Sequence, residues 1–361
     1  MKRILIVNPF GIGDVLFTTP LIANLKEAYP DAYIGYVCNA RTKDILLNNP
    51  KVNTIFIYEK DAFRRVWRKS KTAGFLKFMK LLRSIRNKKF DIVFDLSLGR
   101  EYGFFLWLAG IKKRVGYNYR NRGIFLTDTI DIAAYDAKHI VRYYLELLRR
   151  IGLEPRLKAL EFPISEKDEQ WAGDYLREQG VAANDMIIGL IPGGGASWGA
   201  SAYKKQWQPH RFAQLAAQIT ARFGTAIMLL GDDHEVPLCN QIASLIREMP
   251  IMACGATTLS RFAALLKRCE LVICNDGGPL HIAVSQGVKT ISIFGPVDPL
   301  VYGPYPRDEN NIVVRKGLVC QPCYERFKMR ECGHADCLTT LEVKDVMAAV
   351  DRFLANGLGG A

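Results

Sequence analysis

The sequence has no apolar run long enough to cross a bilayer. Its longest candidate, residues 104–111, is far shorter than the roughly 20 residues that a spanning helix needs. The N-terminus, MKRILIVNPFGIGD, runs from a β-branched segment directly into glycines and lacks the apolar stretch and cleavage site of a secretory signal. We therefore expect a cytoplasmic protein.

Long polar tracts and low-complexity segments are also missing. Hydrophobic residues make up 49% of the sequence and charged residues 24%, which is the balance of a folded protein. A length of 361 residues exceeds one ordinary domain and suits two. We therefore expect two domains, each with a sizeable core.

Acidic residues are too few to balance the basic ones, and the formal net charge is +13. Such an excess indicates an anionic partner: a phosphorylated ligand, an acidic membrane surface or nucleic acid. Because no helix-turn-helix, zinc-finger or RNP signature is present, we do not expect nucleic-acid binding. Many of the cations lie between residues 60 and 89, interleaved with aromatic and aliphatic side chains.

This basic segment predicts one or two amphipathic helices that rest on anionic lipid or acceptor, or a solvated helix face over the core. Four of its residues, Arg64, Arg65, Arg68 and Lys69, are predicted to bind the acceptor or the membrane. Gly13, in a glycine-rich loop near the N-terminus, is predicted to do the same.

Short β-rich runs alternate with helical segments in both halves of the chain. Strands are predicted at 2–8, 32–39, 54–59, 91–97 and 114–118, and again at 186–192, 225–231, 271–276 and 289–295. Alternation of this kind predicts doubly wound parallel sheets. We expect two Rossmann-like α/β domains, 1–165 and 166–361, facing each other across a cleft, with a cysteine-rich tail and a terminal helix in the second.

A glycine-rich loop follows the first predicted strand and contains Gly11, Gly13 and Asp14. It is not a GxGxxG dinucleotide fingerprint. Asp14 falls at the start of a helix predicted over 15–28, where an N-cap aspartate is common. The same position stabilises an ionised carboxylate that could face the cleft.

Two glycine turns in the second half are candidate phosphate sites. One spans residues 275–281, where glycines and a proline open a helix and expose backbone N–H groups at its positive end. The other comprises residues 192–197 and is followed by Lys204 and Lys205. A lysine beside such a loop can neutralise a departing diphosphate, although a surface lysine is an equally plain interpretation.

Both halves together resemble glycosyltransferase family 9, the ADP-heptose:lipopolysaccharide heptosyltransferases. The resemblance rests on GIGDVLFTTPLIANLK, on PGGG with KKQWQPHRFAQLA, on LLGDDHE and on NDGGPLHIAVSQGVKTISIFGPVDP. It implies a GT-B fold and inverting transfer of heptose from ADP-heptose to an anionic glycolipid, the lipopolysaccharide inner core. It also implies peripheral contact with the cytoplasmic face of the inner membrane.

The resemblance also implies roles for individual residues. Asp14 corresponds to the general base, Lys205 to the lysine that contacts the donor phosphates, and Glu235 to the acid near the nucleotide ribose. The complete donor-binding set is Gly193, Gly194, Ser197, Lys205, Glu235, Asp276, Gly277, Gly278, Pro279, Leu280 and His281. Asp276 can also be a turn-forming residue, and His281 a packed one. Because no DxD-type motif lies near either loop, no metal or other cofactor is expected for catalysis.

The cysteines form two groups. Five lie singly in apolar segments and predict buried free thiols. The other four, Cys320, Cys323, Cys332 and Cys337, begin with a CxxC pair, but the second pair is spaced too widely for a standard zinc site. A structural zinc, disulfides and free thiols all remain open for this group.

Three other functions fit parts of the pattern. A transferase of the same fold with another nucleotide-sugar donor is one. A nucleotide-sugar epimerase of GT-B shape would convert the donor without an acceptor. A silent nucleotide-sugar or membrane-binding module would bind the donor without turnover.

Overall fold

The computed structural model describes residues 1–354, apart from the side chains of residues 196, 197 and 200. The chain divides into two compact units, the first comprising Met1–Pro163 and the second beginning at Ile164. Each unit contains a six-stranded, fully parallel sheet.

The first unit is built on six strands in the order β3-β2-β1-β4-β5-β6. The strands are β1 (Arg3–Val7), β2 (Tyr33–Cys38), β3 (Thr54–Ile57), β4 (Ile92–Asp95), β5 (Lys113–Tyr119) and β6 (Asp128–Ile132). The helices are α1 (Ile12–Leu16), α2 (Thr19–Ala28), α3 (Asp44–Leu47), α4 (Lys60–Lys69), α5 (Lys71–Arg86), α6 (Arg100–Leu108) and α7 (Ile140–Glu146). Short 3-10 turns occupy Ala40–Thr42 and Leu147–Ile151.

The second unit repeats this arrangement with the order β12-β11-β10-β7-β8-β9. The strands are β7 (Ile187–Ile191), β8 (Ala226–Leu229), β9 (Ile251–Met252), β10 (Leu271–Asn275), β11 (Lys289–Ile293) and β12 (Asn311–Val314), with a small antiparallel hairpin of β13 (Tyr324–Glu325) and β14 (Lys328–Met329). The helices are α8 (Glu166–Glu178), α9 (Pro209–Phe223), α10 (Val236–Ala243), α11 (Leu259–Leu266), α12 (Gly278–Ser285), α13 (Pro299–Tyr302), α14 (Asp336–Thr339) and α15 (Val343–Leu354). The 3-10 segments are Ala196–Lys205 and Asp233–Glu235.

The central strands are runs of buried aliphatic residues, as expected where helices cover both faces of a parallel sheet. Trp207, one of the largest fully buried side chains, packs in the core of the second unit with α9 and α15. In both units the strand order reverses between two central strands, β1 and β4 in the first and β7 and β10 in the second. Ligands of doubly wound sheets bind at the carboxyl ends of the strands beside this reversal.

The helix predicted over 15–28 is divided in the structure. It begins earlier, at Ile12, and separates into α1 and α2 around Thr18. The Thr18 hydroxyl hydrogen-bonds the carbonyl of Val15 at 2.7 Å and the hydroxyl of Tyr36 at 2.8 Å. Pro20 in the first turn of α2 lacks the N–H that would continue one helix.

Candidate active site

The loop after β1 positions Asp14 by main-chain hydrogen bonds. Gly11, not Asp14, is the N-cap residue of α1, so the predicted N-cap position of Asp14 is wrong by one turn. Asp14 lies in the first turn, and its carboxylate accepts a hydrogen bond from the Gly11 N–H at 3.0 Å. The buried Asn8 side chain donates to the Asp14 carbonyl at 3.0 Å. Gly13 lies in the same turn. Asp14 is thus a half-buried carboxylate whose direction is fixed by the first turn of α1.

A second carboxylate at the carboxyl end of these strands is Asp95, which was not predicted from the sequence. It ends β4, lies opposite Val7 of β1 and is 4% exposed. Burial raises the pKa of Asp95 to about 6, although hydrogen bonds from Ser97 oppose the shift. Burial chiefly raises the pKa of Tyr135, and the charges of Asp14 and Asp95 both contribute, which places both carboxylates near this ring. A buried run ending in aspartate was the signal available in the sequence.

The basic residues predicted to bind acceptor or membrane lie on α4, which has no buried residue. Arg64, Arg65, Arg68 and Lys69 are all exposed. Trp67 of this helix packs on α5 at Gly74, where a Cβ would lie 2.6 Å from the indole ring. The predicted pair of basic helices is confirmed as α4 and α5.

The second unit brings most of the predicted donor-binding residues together at its strand reversal. Lys205 and Asp276 form an ion pair of 2.7 Å, and their side chains are only 6% and 5% exposed. Lys205 is therefore not a surface lysine. Its ammonium also lies 4.5 Å from the ring centroid of Trp198. The Trp198 ring contacts that of Tyr324, in the β13–β14 hairpin between Cys323 and Cys332, at 5.2 Å.

Asn275 ties the two glycine turns to each other. Its amide donates to the carbonyls of Pro192 at 2.7 Å and Gly193 at 3.2 Å. Its oxygen accepts from the N–H of Trp207 at 3.1 Å. One buried side chain thus fixes the ends of β7 and β10 and the start of the segment that follows Lys205.

Glu235 packs directly over the glycines that follow β7. Its carboxylate accepts from the N–H groups of Asp232 at 3.1 Å and Gly195 at 3.4 Å. A Cβ on Gly193 would lie 1.7 Å from this carboxylate, and one on Gly194 would lie 2.3 Å from the Ala202 carbonyl. Burial raises the pKa of Glu235. Close packing thus explains both glycines.

The turn after β10 opens α12. Gly277 is the N-cap residue, and Gly278 and Pro279 form the first turn, so the free N–H groups point out of the helix end. A Cβ on Gly277 would meet the Gly194 carbonyl at 3.6 Å, an ordinary contact. Leu280 and His281 are buried within the helix, so the structure places them behind the turn. The side chain of Ser197 lies outside the described residues.

The four clustered cysteines are free thiols, as are the five single ones. Burial, followed by the neighbouring thiols, raises the pKa of Cys337 to about 11. No group of three or more His, Cys, Asp or Glu side chains among the described residues is arranged to hold a metal ion. The structural zinc stays a prediction.

Comparison with known proteins gives the family. The sequence model of glycosyltransferase family 9 (heptosyltransferase) matches residues 78–334 of this chain. The chain belongs to this family. The predicted family and the glycosyltransferase activity are thereby confirmed.

Similar proteins cover the chain along nearly its whole length. Lipopolysaccharide heptosyltransferase 3 of Escherichia coli is 24% identical over 354 residues, which are 96% of this chain and 98% of that protein. A solved family 9 glycosyl transferase from Veillonella parvula DSM 2008 has a TM-score of 0.83 at 24% identity, covering 98% of each chain. The E. coli ADP-heptose lps heptosyltransferase II has a TM-score of 0.77 at 22% identity and 99% coverage of each chain. The structural likeness confirms the predicted GT-B class with two Rossmann-like domains.

Proposed function

We propose that this family 9 enzyme transfers heptose from ADP-heptose to the lipopolysaccharide inner core, with inversion at the anomeric carbon. The names of the similar E. coli proteins support both the donor and the acceptor. The first unit is assigned to the acceptor and the second to the nucleotide sugar. Transfer takes place at the cytoplasmic face of the inner membrane.

The observation that carries the proposal is the buried Lys205–Asp276 pair beside the N-terminus of α12. A lysine so far from solvent needs a strong partner, and Asp276 supplies it before the donor arrives. When the diphosphate enters, its charge meets the Lys205 ammonium and the backbone N–H groups of Gly277 and Gly278. These groups stabilise the leaving ADP, so the proposed reaction needs no catalytic metal.

Asp14 is the proposed general base. It accepts the proton of the acceptor hydroxyl while the hydroxyl oxygen forms its bond to the anomeric carbon and the bond to the ADP oxygen breaks. The N-terminal turn of α1 holds the carboxylate ionised and fixed in direction. The exposed cations of α4 are proposed to bind the anionic acceptor or the membrane that carries it.

Asp14→Asn tests the chemistry. We expect ADP affinity within about twofold of wild type and turnover lower by about 100-fold or more, because general-base catalysis contributes roughly that much. Calorimetry with ADP and a steady-state transfer assay measure the two quantities, and the exposed Asp31→Asn is the control. Near-normal turnover in Asp14→Asn would remove Asp14 from the proposed chemistry.

A donor panel tests the overall function. Purified protein is incubated with ADP-, UDP-, GDP- and dTDP-sugars, with and without a heptose-deficient core glycolipid. We expect product only with ADP-heptose and acceptor together. Conversion of donor without acceptor would indicate an epimerase, and binding without turnover on any acceptor would indicate a silent binding module.

A further inference from the structure

Three aromatic rings form an exposed cluster on the first unit, outside the residues assigned above to donor or acceptor. Phe104 and Trp107 lie one turn apart on the outer face of α6 and are 42% and 51% exposed. Their rings are stacked at 5.8 Å, and Phe125, from the loop between β5 and β6, contacts them at 5.2 and 6.1 Å. Ile124 beside it is 56% exposed. We call these four residues the aromatic platform.

The loop that carries half of the platform is fixed by hydrogen bonds. The Asn118 side chain accepts from the Gly123 N–H at 3.0 Å, and the Leu126 N–H donates to the Gly123 carbonyl at 2.9 Å. A Cβ on Gly123 would lie 3.0 Å from Asn118, so this tight turn suits glycine. The guanidinium of Arg114 donates to the Phe125 carbonyl. The apolar residues are therefore held outward on an ordered turn.

The segment that leads into the platform loop is rich in cations. Between residues 100 and 122 the sequence has six lysines and arginines and a single acid, Glu101. That acid is paired with Lys60 of α4. Arg100, Arg120 and Arg122 are exposed. The neighbouring helix α5, which contacts α6 through the Phe78 and Phe105 rings at 5.4 Å, also presents exposed Phe75 and Leu76 among its cations.

We propose that the aromatic platform inserts into the interfacial layer of an anionic lipid bilayer. Tryptophan and phenylalanine favour the depth at which headgroups meet acyl chains, and flanking arginines attract anionic headgroups. The platform adds an apolar anchor to the charged surface of α4. The inference extends the membrane contact in the proposed function.

Repulsion between like charges argues against a second copy of the chain as the binding partner of the platform. A symmetric dimer would bring two cationic rims together, and like charges at an interface oppose association. An anionic surface satisfies the apolar and the charged groups at once. Within the described residues no helix is long and apolar enough to span a bilayer, so the platform is an anchor at the surface.

Vesicle sedimentation with Trp107→Gln/Ile124→Gln tests the anchor. Wild type is expected to bind vesicles of phosphatidylglycerol and phosphatidylcholine and to bind neutral vesicles much less. The double variant should lose about 10-fold or more in partitioning, since the apolar contribution is removed while the cations remain. ADP binding of the variant should equal wild type, which separates loss of the anchor from misfolding or failure of the donor site.

Matched controls are the exposed leucines Leu157 and Leu300, which are 62% and 60% exposed, changed together to glutamine. Brominated lipid should quench the fluorescence of Trp107, so that Trp107→Phe reduces the quenching and Trp171→Phe does not. Unchanged vesicle binding in the platform variant overturns the inference, as does equal binding of wild type to neutral vesicles. If the platform variant lost self-association but kept vesicle binding, the platform would bind a second copy of the chain. That result would also overturn the inference.

Discussion

Lys205 and Asp276 illustrate how a proposed binding residue can be held before its ligand arrives. Both charges are almost fully buried, and removal of one partner leaves the other without compensation. We expect Lys205→Met to lower the free energy of unfolding by about 3–5 kcal/mol. The double variant Lys205→Met/Asp276→Asn should regain most of that loss, because no buried charge is left alone.

ADP binding separates structure from function in this pair. Both the single and the double variant should bind ADP at least about 10-fold more weakly, since neither supplies the ammonium. Denaturant titration and calorimetry measure the two effects. Recovery of both stability and ADP affinity in the double variant would show that Lys205 has only a structural role.

Asp95 should make the stability of the protein depend on pH. Its pKa of about 6 in the folded protein lies above the usual value, so the protonated carboxyl is the form that folding favours. The favourable contribution is present below about pH 4 and is lost as pH rises through about 6. Asp95→Asn should therefore be more stable than wild type at pH 7.5 by about 1–3 kcal/mol and not at pH 4.

Thermal unfolding of wild type and Asp95→Asn at pH 4, 5.5 and 7.5 checks this pH dependence. The exposed Asp136→Asn is the control, because its carboxylate is solvated. A constant difference between wild type and Asp95→Asn at all three pH values would contradict the raised pKa.

At the scale of elements, the glycine turns of the second unit are built for different purposes. Gly193 makes room for the Glu235 carboxylate, whereas Gly277 has ordinary space around its Cβ direction. Gly193→Ala should lower both the melting temperature and ADP affinity, since the added methyl displaces Glu235. Gly277→Ala should keep the melting temperature within a few degrees and weaken ADP binding, because the methyl stands at the N-terminus of α12, the proposed diphosphate site. Thermal shift with and without ADP distinguishes the two, and equal effects of both variants would contradict this division.

The sequence predicted the central strands of both sheets and missed three of their four edge strands. β1 and β10 were found because continuous apolar runs mark them. β6, β9 and β12 were missed: each lies at the edge of its sheet and is short or only partly buried. Such strands lack the apolar run that a buried parallel strand shows.

In the candidate site, local sequence signals and tertiary contacts differ in the same way in how well the sequence predicts them. Glycines and charged residues at the ends of predicted strands or in the loops that follow, such as Asp14 and Asp276, were predicted as site residues from their position, and those roles stay predictions. The tertiary contacts were not accessible, because no local pattern pairs Lys205 with Asp276 or brings Tyr324 against Trp198. Only the fold brings these distant segments together.

At the scale of the whole molecule, the same topology occurs twice, with one strand reversal in each unit. Each unit has its own sheet, and Trp207 is buried among residues of the second unit alone. Both features are typical of domains that can fold separately. The donor groups named above, from Gly193 to Pro279, all belong to the second unit.

We therefore expect residues 164–361, produced alone, to fold cooperatively and to bind ADP within about 10-fold of the full chain, since all the proposed donor contacts are retained. Residues 1–163 should fold without binding ADP, and neither fragment should transfer sugar, because base and donor groups are then on separate molecules. Circular dichroism and calorimetry on each fragment measure this, and Lys205→Met in the second fragment is the matched control. ADP binding by the first fragment, or its loss from a well-folded second fragment, would contradict the assignment of the donor to the second unit.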